Sequence, residues 1–153
     1  MLPPGPASQD VERAAALLRD ADRVLVGAGA GLSTAAGIEY GGERFQRAFA
    51  PFIAKYGLAD MYTAGFYPYP SEEARWAYWA RHVWTNRHEP PALPLYRALW
   101  EYCRDRDCFV VTTNVDGQFE KAGFPPERVF ATQGDYGLNQ CARGCHDAVY
   151  PNR

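Results

Sequence analysis

An α/β fold, with a helical insertion in a Rossmann-like and incomplete parallel sheet, is what this 153-residue chain predicts. Three observations lead there. Short apolar strand patterns alternate with helical ones, the order of a parallel sheet with crossover helices. The first strand runs straight into a glycine-rich turn at residues 27–31, the layout of a nucleotide-binding βα unit. Only about three strand patterns are present where an open doubly wound sheet usually has about five or six. The native protein is therefore expected to continue past Arg153, and this stretch alone to be inactive or poorly stable.

In chain order, residues 1–9 are rich in proline and glycine and read as a flexible N-terminus. Val11, Ala14, Ala15 and Leu18 then fall at helical spacing, with Ser8 or Asp10 as the cap. Residues 23–26 (RVLV) form a short strand. Residues 43–95 read as a helical insertion, aromatic at its start. Within it Ser71 opens a helix whose Trp76, Trp79, Ala80, Val83 and Trp84 make one apolar stripe. A further helix after Pro94 turns Leu95, Leu99 and Tyr102 inward. Residues 109–112 (FVVT) are continuous and apolar, as in a strand buried on both faces. A helical turn at residues 118–122 and a strand at 129–132 follow. There is no internal repeat.

Composition narrows the class. Apolar residues make up 47% and charged residues 22%, as in a soluble globular protein. A formal net charge of -2 gives no electrostatic case for nucleic acid or an anionic membrane. No run approaches the roughly 20 apolar residues of a membrane helix, and the N-terminus lacks the pattern of a secretory signal. The four cysteines, Cys103, Cys108, Cys141 and Cys145, then point to the cytoplasm rather than to a disulfide framework.

Four segments carry chemistry. Residues 27–38 (GAGAGLSTAAGI) follow a strand; glycines let the backbone approach a pyrophosphate, and amides at a helix start hold negative charge. The pattern is neither G-x-G-x-x-G, since Thr34 stands at the third glycine position, nor a P-loop. Residues 112–117 (TTNVDG) also follow a strand. An amide and a carboxylate there can meet a ribose and a carboxamide, although an ordinary helix-capping turn has the same composition. Residues 132–137 (TQGDYG) form another polar turn after a strand. Cys141 and Cys145 are close enough to share a zinc ion. His146 is a candidate third ligand, disfavoured because adjacent residues rarely face one metal. Cys103 and Cys108 read as core.

These pieces resemble, together and in order, the sirtuin family over residues 10–153, as the N-terminal part of its catalytic domain. Residues 29–38 look like the sirtuin GAG-x-S-x-x-x-G-I motif, and residues 113–117 like its T-Q-N-I-D motif. Thr132, Gln133 and Gly134 fall where sirtuins carry His-Gly. Cys141 and Cys145 fall where their zinc ribbon begins, so residues 137–153 are expected to start a small cysteine-containing module. The resemblance implies NAD contacts from Gly29, Ala30, Gly31, Ser33, Gly37, Arg44, Asn114, Asp116 and Gln133. Asn114, Asp116 and Gln133 would be catalytic, and Cys141 and Cys145 would be zinc ligands.

There are two departures. Sirtuins usually follow the first motif with Pro-Asp-Phe-Arg, where this chain reads EYGGERF at residues 39–45. Their catalytic histidine is replaced by Gln133. Both features are similar to the macrodomain-linked (class M) sirtuins, described as protein ADP-ribosyltransferases acting on lipoylated carrier proteins of the glycine-cleavage H type. A macrodomain hydrolase is the second partner this implies. Nicotinamide–ribose cleavage needs polar groups around a cationic ribose carbon. Deacylation needs in addition a base for a ribose hydroxyl, and a glutamine amide cannot take that proton at neutral pH. ADP-ribose transfer is thus expected to persist with deacylation weak or absent. The competing readings are a lysine deacylase with an unconventional base and an inactive NAD- or ADP-ribose-binding module.

Overall fold

The computed structural model describes residues 6–153, with the side chains of 6–8 left aside. Helix α1 (Pro6–Asp20) leads to strand β1 (Arg23–Ala28) and the short helix α2 (Ala30–Ala35). The insertion follows as α3 (Gly42–Tyr56), α4 (Met61–Gly65) and α5 (Glu72–Val83), which runs on into a π turn, Trp84–His88. Then come α6 (Pro94–Cys103), β2 (Asp107–Thr112), α7 (Gln118–Ala122) and, after a 3₁₀ turn, β3 (Val129–Ala131). Strands β4 (Leu138–Gln140) and β5 (Val149–Pro151) close the chain as a separate antiparallel pair.

The main sheet has the order β1-β2-β3, and both pairings are parallel. Gly27 and Ala28 belong to β1, opposite Val111 and Thr112. The expected five-residue glycine loop is therefore two strand residues, a single capping residue at Gly29, and the first turn of α2. The ladder continues beyond the strand ends, since Thr113 N donates to Ala28 O at 3.1 Å and Thr132 N to Thr112 O at 2.9 Å. These bonds tie the loops after all three strands to one sheet edge.

Three expectations need correcting. Helix α1 already covers residues 6–9, which were expected to be loose; residues 1–5 lie outside the described part, and Ser8 and Asp10 fall within the helix rather than at a cap. Strand β2 is covered on one face only: Cys108, Val110 and Thr112 are buried while Phe109 is 42% exposed. Leu25 and Phe130 share its uncovered face. Helix α5 buries a different stripe, namely Tyr78, His82 and, beyond it, Thr85 and Asn86, while Trp76 and Trp84 are exposed. In α6, Tyr96 and Cys103 are fully buried, ahead of the partly buried Leu95, Leu99 and Tyr102.

Two cores result. One, behind the sheet, joins Tyr96, Cys103, Cys108, Val110, Phe119 and Phe124. The other lies within the insertion and joins Phe45, Phe49, Leu58, Met61, Ala64 and Tyr78. Pro51 removes a donor inside α3, and the helix kinks at Phe49 (φ -120, ψ 16), which is completely buried.

His82 is the titratable group of this second core. Tyr78 Oη donates to Met61 O at 2.6 Å, so its one proton is engaged, and His82 Nδ1, 3.1 Å away, must be the donor to Tyr78. Nε2 is buried with no partner among the described residues, so a proton there would be unsatisfied, and the neutral Nδ1–H form is favoured. Rings of Tyr40, Phe49, Tyr78, Trp79 and Tyr136 surround it. Burial, then the Arg44 guanidinium, push its pKa down to about 4. The unfolded chain takes up this proton near pH 6.5, whereas the folded protein does not until far lower. Stability is thus complete above pH ~6.5 and is lost as pH falls towards ~4, by roughly 3 kcal/mol in all. Urea denaturation should show the stability gap between wild type and His82→Phe narrowing by that amount between pH 7 and pH 4. A gap independent of pH would contradict a neutral buried imidazole.

Candidate active site

The loops after β1, β2 and β3 enclose a cavity of about 440 Å³, within the usual range of small-molecule sites. Ala30, Ser33, Asn114, Asp116 and Gln133, all expected from sequence, line it together. Tyr40, Tyr62 and Tyr136 also line it and were not expected. Gly29 and Gly31 cap and open α2 without lining the cavity. Gly37, whose φ of 101 is one that L side chains rarely adopt, ends the α2 turn.

Arg44, which the resemblance implies at the cofactor, does not line this cavity and braces the insertion. Its guanidinium donates to Glu39 O (2.8 Å), Asn86 Oδ1 (2.8 Å) and Thr85 O (2.7 Å). These bonds join α3 to the π turn, and Asn86 Nδ2 in turn donates to His82 O at 2.9 Å and to Met61 Sδ at 3.4 Å.

A buried hydrogen-bond chain lies behind the cavity. Ser33 Oγ donates to Asp116 Oδ2 at 2.6 Å. Ser33 has one proton, so Tyr96 Oη, 3.0 Å away, donates to Ser33. Tyr96 must then accept, and Asn114 Nδ2 donates to it at 3.2 Å. The chain therefore runs Asn114 to Tyr96 to Ser33 to Asp116, ending on a carboxylate, a polarity that strengthens each member. The second Asp116 oxygen accepts from Gln118 N at 3.1 Å. Gln118, itself buried, fixes the approach to α6 through Leu93 N (2.9 Å) and Pro91 O (3.0 Å). With Nδ2 engaged, Asn114 Oδ1 has no partner among the described residues.

Gln133 stands exposed on the rim. On the same wall, burial and then the neighbouring Tyr136 raise the Tyr40 pKa well above the ordinary phenol value, and burial likewise raises that of Tyr136. Both phenols stay protonated at neutral pH. The wall thus offers amides, hydroxyls and aromatic faces, and its one carboxylate is already engaged by Ser33 and the Gln118 amide.

At the β4–β5 end, Cys141 Sγ and Cys145 Sγ are 3.1 Å apart. The His146 imidazole joins them, with all three donor atoms within 4.8 Å of one another. Adjacent Cys145 and His146 thus do face one point, contrary to the sequence expectation. Two sulfurs and an imidazole are a zinc-type donor set, and three of a usual four ligands. The amides of Cys145, first, and of Arg143 and Gly144 help to bring the Cys141 pKa down to about 7.

No protein-family model matches the chain. It is 38% identical over 133 residues to a protein of Staphylococcus aureus named protein ADP-ribosyltransferase, a match covering 87% of this chain and 42% of that protein. It is 42% identical over 145 residues to a Fusarium oxysporum f. sp. cubense protein named probable bifunctional ADP-ribose hydrolase/ADP-ribosyltransferase, covering 88% of this chain and 23% of that one. The chain therefore spans less than half the length of either curated relative. Among solved structures it matches a Sir2 enzyme with a TM-score of 0.56 at 23% identity, over 94% of this chain and 53% of the other. A mutant Sir2 homologue in complex with 2'-O-acetyl ADP-ribose matches with a TM-score of 0.54 at 19% identity, over 92% and 52%. The chain is sirtuin-like: it has the Sir2 fold over most of its length, and its sequence is similar to those of proteins named for ADP-ribosyl transfer.

Proposed function

We propose that this chain is the N-terminal part of an NAD-dependent protein mono-ADP-ribosyltransferase. The observation that carries the reading is the cavity where Asn114, the Ser33–Asp116 pair and Gln133 meet without a free base on the wall. NAD supplies the bond that breaks: the nicotinamide–ribose pair of electrons leaves with the ring nitrogen, and the acceptor's lone pair forms the new bond to the ribose carbon. Asn114 Oδ1 is the acceptor that grips a ribose hydroxyl, because its amide nitrogen is held by Tyr96. Asp116 lends negative charge near the developing cation through Ser33. Gln133 orients ribose or acceptor and cannot remove a proton. Tyr40 and Tyr136 exclude water as a neutral wall. An acceptor that is already ionised at neutral pH needs no base, so transfer is compatible with this wall and deacylation is not.

The acceptor we propose is a lipoylated carrier protein of the glycine-cleavage H type, with a macrodomain-type hydrolase reversing the modification. The hydrolase and transferase names joined in the Fusarium relative support that pairing. Where a zinc ion is bound, Cys141, Cys145 and His146 would hold it as a structural centre.

The test is transfer of labelled ADP-ribose from NAD to the lipoylated carrier, run beside an acyl-lysine peptide assay followed by mass. Transfer without deacylation is the expected result. Gln133→His should gain deacylation, by about 10² or more if the base alone was missing. Efficient deacylation by the wild type, or no gain in the variant, would count against this assignment of Gln133.

A further inference from the structure

Arg87 lies outside the four segments that the sequence marks for chemistry, on the π turn that ends α5. Its Nε donates to Asp135 Oδ1 at 2.6 Å and its terminal nitrogen to Asp135 Oδ2 at 2.9 Å. Both side chains are largely covered, at 19% and 25% exposure. Asp135 belongs to the loop after β3, two residues from Gln133. The same Asp135 Oδ1 accepts from Gly137 N at 2.6 Å.

The other side of the guanidinium meets the loop after β2. A Cβ added at Gly117 would collide with the Arg87 guanidinium, and the φ of Gly117 is +61. Gly117 therefore gives the guanidinium room beside the backbone that carries Asn114 and Asp116. Tyr136 N also donates to Val115 O at 3.0 Å, joining the two loops directly. Lys121 Nζ bonds the carbonyls of Arg87 and Pro90, which fixes the backbone beneath the arginine.

We propose that Arg87 is a positioning residue, setting the separation across the cavity between Asn114 and Gln133 by holding Asp135 on one side and seating against Gly117 on the other. The proposal rests on the transferase reading for its catalytic consequence. Its geometric content stands without it. A lysine at this site keeps the charge but cannot make the paired fork to a carboxylate, and small displacements of aligned groups have large effects on rate.

The experiment compares wild type, Arg87→Lys, Asp135→Asn and the double variant. It follows nicotinamide release from NAD, melting temperature, and hydrogen exchange at the Tyr136 and Gly137 amides. Each single variant should lower kcat by about tenfold to a hundredfold, with KM for NAD within about twofold. The double variant should be no worse than the poorer single, because both remove the same bond. Exchange at Tyr136 and Gly137 should quicken by about tenfold or more while the β1–β2 ladder stays protected. An unchanged kcat, rate losses that multiply in the double variant, or wild-type protection at those two amides would each overturn the proposal. If one single variant fails to fold, the other tests the same bond. A wild type that releases no nicotinamide defeats the transferase reading, and the exchange result still decides the clamp.

Discussion

Asn114→Ala is expected to slow nicotinamide release by about 10²–10³-fold while shifting the melting temperature by only a few degrees. The side chain is half-buried on the cavity wall. Its one bond to protein among the described residues is the 3.2 Å bond to Tyr96. Losing a single neutral hydrogen bond costs about 0.5–1.5 kcal/mol of stability. On the proposed transferase reading the catalytic loss is larger, because Asn114 lines the cavity and its Oδ1, without a partner among the described residues, is free to accept from a ribose hydroxyl. Steady-state nicotinamide release and a thermal melt on the same preparation decide it. A rate within tenfold of wild type would remove Asn114 from the reaction. A rate that falls only with the folded fraction would make it a structural residue.

Phe49→Ala should cost about 3–5 kcal/mol, the range for deleting a buried phenylalanine ring. The ring is fully buried at the kink of α3. It packs against Phe45 and Tyr78, each with centroids 5.4 Å away, and against Phe52 at 6.1 Å. Domains of this size have only about 5–15 kcal/mol of total stability, so the variant should be marginal. The wall of the cavity should loosen with it, because His82 and through it Tyr40 and Tyr136 pack on this core. Urea titration read by intrinsic fluorescence measures the loss. A cost below 1 kcal/mol would mean that the insertion repacks freely.

The parts of this architecture that were legible in the sequence are local ones. Strand β1 meeting the glycine turn, and β2 and β3 each followed by a polar turn, are contiguous patterns with direct meaning for a parallel sheet. Three of those turns share one cavity, as their positions after successive parallel strands predict. The stripe on α5 was misread because periodicity counts apolar residues. Tyr78, His82, Thr85 and Asn86 are the buried residues there, and the side chains of Tyr78, His82 and Asn86 are satisfied by Met61 O, by each other, by Arg44 and by His82 O, which makes polar side chains the inward face. Exposed Trp76 and Trp84 then carry the apolar signal without a core to match. Tyr96 and Arg87 left no local signature at all. Their partners, Ser33 and Asp135, stand 63 and 48 positions away in the chain. Arg44 shows the converse: a motif position identified it, while its bonds to Glu39 O, Asn86 Oδ1 and Thr85 O left no mark in the sequence.

The sense of the chain from Asn114 to Asp116 has a consequence for what the cavity can tell apart. An asparagine amide can ordinarily rotate to show either its oxygen or its nitrogen. Here the Asp116 carboxylate, three hydrogen bonds away, forbids the rotation, because reversing Asn114 would set two acceptors against each other at Tyr96. Asn114 Oδ1 is therefore kept open to a donor such as a hydroxyl, and only the second Nδ2 proton is left for an acceptor. What a ligand meets there is set by a carboxylate on the far side of a tyrosine and a serine.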